Sequence, residues 1–217
     1  MIILELNEIN LDNKSLSKLN YLSQKINEFK CNIVETIPDS LTEYEGLDPW
    51  VQWPTIHNCC SVKEHSQLRH GDSVNKSKKN DIFFKLNKKN KNTIAWGIMN
   101  PSSKIRCNVL LPDPWSYEIE PQPHELKKFA DLPNYFAQNY QKQKFFKLTK
   151  SLFSTLYYTY KKLNYKELFI TAKNILKLLI KYKKIDSLLI FCWFELISIK
   201  VFKKFYNKKT IAFIFIN

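Results

Sequence analysis

Five short, β-prone apolar runs, at 2–6, 31–37, 93–99, 109–111 and 210–216, alternate with segments whose apolar residues recur every three or four positions. Strands of that length separated by helical segments restrict the chain to a sheet with crossover helices, the α/β class. The first run, IILEL, presents Glu5 and then Asn7 and Glu8 at its end, and the carboxyl ends of strands in open α/β sheets are where sites gather. Leu16, Leu19, Leu22, Ile26 and Phe29 predict a helix over 15–29, capped by Asn13 or Ser15. The segment 81–89, DIFFKLNKK, predicts a short amphipathic helix. At 217 residues, 44% hydrophobic, the chain can bury one substantial core.

The second half changes character. Helices are predicted over 126–140, 145–163, 165–182 and 185–206, with seams such as Leu148, Leu152, Leu156 and Tyr160. This divides the chain into an α/β part at 1–120, a Lys-rich helical insertion or cap at 121–208 and a core strand at 209–217. The most apolar helical stretch, 188–199, falls short of the roughly 20 residues a bilayer span needs. A buried helix is expected there. The closing TIAFIFI is a strand with nothing after it, which predicts a truncated sheet; exposed, such a strand would invite a second chain to complete it.

Charge is divided unevenly. Residues 1–139 hold 17 Lys plus Arg against 17 Asp plus Glu, and residues 140–217 hold 17 against 3. A one-sided basic half points to an anionic membrane surface or an acidic partner, against the plainer reading of solvated helix faces written in lysine. The only arginines, Arg69 and Arg106, lie outside the basic half, which argues against nucleic acid, where arginine forks usually read phosphates and bases. Five cysteines without regular spacing suggest neither a disulfide framework nor a zinc ribbon, and MIILELNEI is no secretory signal. A cytoplasmic protein, peripheral to a membrane at most, is expected. Three glycines, Gly46, Gly71 and Gly97, cannot build a Gly-rich phosphate cradle.

The densest chemistry lies at 47–71, LDPWVQWPTIHNCCSVKEHSQLRHG, which holds two of the five tryptophans, three of the four histidines and the vicinal pair Cys59–Cys60. It reads as an active-site loop or its remnant; the plain alternative is a rigid surface loop pinned by Trp50 and Trp53. The cysteines could form a reactive or soft-metal pair, although adjacent cysteines are more often small buried residues.

ELNEIN at 5–10, LDPWVQWPTIH at 47–57, the histidine of KEH at 63–65, HGD at 70–72 and PDPW at 112–115 together resemble the alkaline phosphatase superfamily. The likeness is to the bacterial branch described as type I phosphodiesterase or nucleotide pyrophosphatase-like, often met beside polysaccharide-synthesis functions. It covers about the first 120 residues, and AFIFIN resembles the family's next core strand. The resemblance implies an alkaline-phosphatase-like sheet flanked by helices, and a metal-dependent phosphodiester hydrolase with a two-metal site, Zn²⁺ or Mn²⁺, acting on a small phosphoester. It implies Glu5 and His65 as metal ligands, and His57, Asn7 and Asp113 as substrate-binding or orienting groups. The nucleophile falls in QWPT. Alignment on Pro54 puts the superfamily's threonine at Gln52, which has no hydroxyl, and Thr55 is the one hydroxyl present. Where the family shows Thr-Gly and then His-Gly, this chain has Asn58-Cys59 and His65-Ser66, so positive φ at either place would strain a side chain. The superfamily's remaining Asp and His ligands come after the strand that ends this chain. A truncated or low-activity hydrolase is therefore expected, with little or no activity as this chain alone. The alternative is a non-catalytic interaction module whose basic helical half binds anionic lipid or an acidic partner.

Overall fold

The computed structural model describes residues 1–6, 49–66, 81–101, 107–116, 119–139, 142, 144–182 and 187–216. The helix expected over 15–29, the strand at 31–37 and Asn7 lie outside the described residues. Within them, four parallel strands, β1 (Ile2–Leu6), β2 (Thr93–Ile98), β3 (Val109–Pro112) and β4 (Ile211–Ile216), form one sheet in the order β1-β4-β2-β3. Seven helices accompany them among the described residues: α1 (Pro49–Asn58), α2 (Val62–His65), α3 (Ile82–Lys88), α4 (Leu126–Asn139), α5 (Phe145–Lys162), α6 (Tyr165–Tyr182) and α7 (Ser187–Phe205). The protein is of the α/β class. β4 is not an exposed edge: it pairs with β1 from Ala212 to Ile216 and with β2 from Ile211 to Ile214. A run as apolar as IAFIFI is stable only where both faces and both edges are covered, and the interior of a parallel sheet supplies that.

Strand alternation sends two sets of side chains to opposite faces. One face carries Ile94, Trp96, Val109, Leu111 and Ala212, packed under Leu126 and Phe129 of α4 and Phe194, Ile197 and Phe202 of α7. Phe129 stacks on Phe194 at 4.8 Å, and the buried indole N–H of Trp96 donates to Ser198 Oγ at 2.7 Å. The other face carries Ala95, Leu110 and Phe213 beneath Phe83 of α3. Trp96 and Ile98 should share a face, two residues apart, yet Ile98 joins the Phe83 layer. A register shift at Gly97 turns the strand over. Gly97 has φ +71°, and a Cβ there would stand 2.9 Å from the carbonyl oxygen of Phe215, so both conformation and contact require glycine.

The α5 seam expected from Leu148, Leu152, Leu156 and Tyr160 is not the buried one. Leu156 and Tyr160 are exposed, and the inward face runs through Thr155, Tyr158 and Thr159. The cause lies in α4. Pro133 has no N–H and cannot bond the carbonyl of Phe129, four residues back. Thr155 fills the break: its hydroxyl faces the carbonyls of Phe129 (3.1 Å) and Lys128 (3.2 Å) and accepts the Leu132 N–H at 3.2 Å. That requirement turns the polar side of α5 inward, and its aromatic side outward.

Candidate active site

The stretch read as a loop is mostly helical over its described residues, as α1 and α2 with a short connection at 59–61. Pro54 inside α1 opposes a helix locally, because an interior proline costs about 3 kcal/mol. Burial overrides that preference. Val51, Pro54, His57 and Asn58 recur at helical spacing and all four are buried, and the Asn58 side-chain amide donates to the Pro54 carbonyl at 2.7 Å, closing the helix end.

α1 projects its two candidate residues apart. Positions two apart on a helix differ by roughly 200° around the axis, so Thr55 and His57 face different neighbours. His57 turns toward the sheet, where its Nε2–H donates to Glu5 Oε1 at 2.9 Å. Both side chains are buried, and the imidazole is edged by Phe83 (ring centroids 5.7 Å) and Trp53 (6.0 Å), with Trp53 against Phe215 on β4. Glu5 thus stands near the carboxyl end of β1 in an aromatic box. Its second oxygen, Oε2, is buried with no hydrogen-bond partner among the described residues, as is Nε2 of Gln52. An orphaned carboxylate oxygen is costly, and such a position invites a ligand.

Thr55 turns the other way, to α2. Its hydroxyl donates to the Val51 carbonyl at 2.8 Å, and its oxygen lies 2.8 Å from His65 Nε2. One hydroxyl has one proton. While that proton is on Val51, the imidazole N–H is the donor; a rotation of the hydroxyl reverses the roles and makes His65 the acceptor. His65 is buried, and Ser61 and Glu64 hold α2 through a capping box, Ser61 N–H to Glu64 Oε2 at 2.7 Å. Those bonds, with His65 nearby, keep the Glu64 carboxyl below its ordinary range.

Both helices end in a left-handed residue. Cys59 has φ 49° after α1, and Ser66 has φ 56° after α2. Helices commonly terminate this way, usually with glycine, because a Cβ is strained there. These are the two positions at which the superfamily pattern has glycine. Cys59 is exposed and Cys60 partly buried, so the pair is not the small buried filler expected of adjacent cysteines; burial, then Glu64 and Cys59, pushes the Cys60 thiol up and away from reactivity.

Asp113 does not join either pair. It follows β3, at the far edge of the sheet from β1, three strand spacings or roughly 14 Å away. There both its oxygens accept the Trp115 N–H (3.2 and 3.5 Å) in a Pro-bounded turn, a turn residue in practice. Burial holds its carboxyl up at about 7, against the pull of that backbone bond.

Asp81 was not singled out by the sequence. It caps α3, accepting the N–H groups of Phe83 (2.7 Å) and Phe84 (3.3 Å), and it is buried close enough to His57 for the two to interact electrostatically. Desolvation raises its carboxyl nonetheless. An Asp directly before an apolar helical run is a legible cap signal; its approach to His57 is not, since that depends on α1 and α3 sharing one face of the sheet.

The two residues expected to bind metal, Glu5 and His65, engage different partners. Among the described residues no group of three or more His, Cys, Asp or Glu side chains is arranged to hold a metal ion. The Glu5–His57 pair supplies two donors and an open oxygen, which falls short of the two-metal donor set that the resemblance implies. Comparison with protein-family models, characterised proteins and solved structures finds no match for this chain.

Proposed function

We propose that this chain is a phosphoester hydrolase-like protein of the alkaline phosphatase type, of low activity toward phosphodiesters as it stands. The observation that carries the reading is the backbone at Cys59 and Ser66, left-handed at both positions where that family pattern has glycine. Two strained positions at those two places are expected if the chain preserves an ancestral loop geometry after losing the residues that made it easy.

The described residues can support one chemical step. With its proton turned to His65 Nε2, Thr55 Oγ1 can attack phosphorus, forming a Thr–O–P bond as the ester P–O bond breaks; the imidazole keeps the hydroxyl proton and can return it to the leaving oxygen. Among the described residues the donors fall short of a two-metal centre, so the step is written through Thr55 and His65 alone, and without further charge neutralisation it would be slow.

The test is hydrolysis of bis(p-nitrophenyl) phosphate by the full chain, alone and with Zn²⁺ or Mn²⁺. Slow turnover is expected, falling about a hundredfold or more in Thr55→Val and His65→Gln, each assayed below its own melting temperature. Turnover equal to the buffer blank, with no melting shift on adding either metal, would overturn the reading.

A further inference from the structure

The inward turn of Thr155 leaves α5 with an outward stripe of Phe146, Lys150, Phe153, Tyr157 and Tyr160, each three or four residues from the last, with Lys161 beside it. α6 repeats the pattern with Tyr165, Phe169, Lys173, Leu176 and Ile180. Phe146, Phe153, Tyr160, Tyr165, Phe169 and Ile180 are 68–86% exposed. Exposed aromatics gathered on a helix face, rather than scattered singly, mark an interaction surface. Between residues 142 and 182 the chain carries ten lysines and one acidic residue, Glu167, which lies beside Lys204 at 2.9 Å.

We propose that the outward stripes of α5 and α6 dock this chain onto an anionic membrane surface. Aromatic rings enter the boundary between headgroups and acyl chains, and the interleaved lysines snorkel to the lipid phosphates. The stripe chemistry selects this occupant. An acidic protein would match the lysines but not six large, wet apolar side chains, and a second copy would bring lysine against lysine. Among the described residues no helix is long and apolar enough to cross a membrane, so the helices lie along the surface. The proposal stands whether or not the chain hydrolyses phosphoesters.

The experiment is cosedimentation of the full chain with vesicles of phosphatidylcholine alone, and with about one part in three phosphatidylglycerol, at low and physiological salt. Binding to the anionic vesicles is expected, at least about tenfold tighter than to the neutral ones and weakened about tenfold by salt. In Phe146→Trp the added indole should be quenched by brominated acyl chains. Phe153→Ser with Tyr160→Ser, at exposed positions, should lower binding about tenfold with an unchanged melting temperature. Equal binding to both vesicle types, or full binding by the double variant, would overturn the proposal. So would dimerisation that the double variant abolishes without any vesicle binding, which assigns the stripe to a second copy, or binding to polyglutamate alone, which assigns it to an acidic partner.

Discussion

The two faces of the sheet solve different problems with the same strands. Under α4 and α7 the layer is aromatic and aliphatic, with the Trp96 indole N–H met by Ser198. Under α1 and α3 the apolar layer stops at the strand ends and gives way to a buried carboxylate, an imidazole and a capping aspartate. Apolar packing is insensitive to pH and tolerant of small shifts, whereas buried ionisable groups need specific partners. The difference teaches that stability resides on one face and candidate chemistry on the other.

The largest expected effect breaks the apolar face. Phe129→Ala removes a fully buried ring stacked on Phe194 and near Trp96, and should cost about 4 kcal/mol in urea unfolding at any pH. On the polar face, His57→Leu leaves the Glu5 carboxylate buried without its partner and should cost about 3 kcal/mol at pH 7. Adding Glu5→Leu should recover most of that loss; a double variant as unstable as the single one would show that shape, not charge pairing, governs the site.

Asp113 sharpens the comparison through pH. Its carboxyl titrates at about 7 in the folded chain against the ordinary 3.8, so between those values the folded state holds a proton that the unfolded state has lost. Stability from this group is therefore greatest below pH 3.8 and falls as pH rises toward 7. Asp113→Asn should make the protein more stable at pH 8 by on the order of 3 kcal/mol, with a difference near zero at pH 3.5. Urea titrations of both proteins across that range read it directly.

Thr155→Val keeps the shape but leaves the Phe129 carbonyl without the Thr155 hydroxyl at the Pro133 break, and should cost about 2 kcal/mol. Smallest of all, Cys59→Gly and Ser66→Gly should each stabilise by about 1 kcal/mol in thermal unfolding, because glycine carries no penalty at positive φ. Destabilisation by both would mean that neither position is strained, and would remove the main support for the hydrolase-like reading.

Local periodicity sufficed for much of the architecture. The apolar runs at 2–6, 93–99, 109–111 and 210–216 are strands, and the four C-terminal helical segments are helices, because alternation and three-to-four spacing are properties of the chain itself. Glu5 near a strand end was likewise legible. Other features depended on neighbours distant in sequence. α1 forms through Pro54 because the sheet face buries it; Glu5 meets His57, and Thr155 meets Pro133, only when separate elements pack. Which side of α5 faces inward was decided by a missing N–H on another helix. A sequence pattern records which side chains can be buried together, but a broken hydrogen bond elsewhere in the fold determines which of them must be.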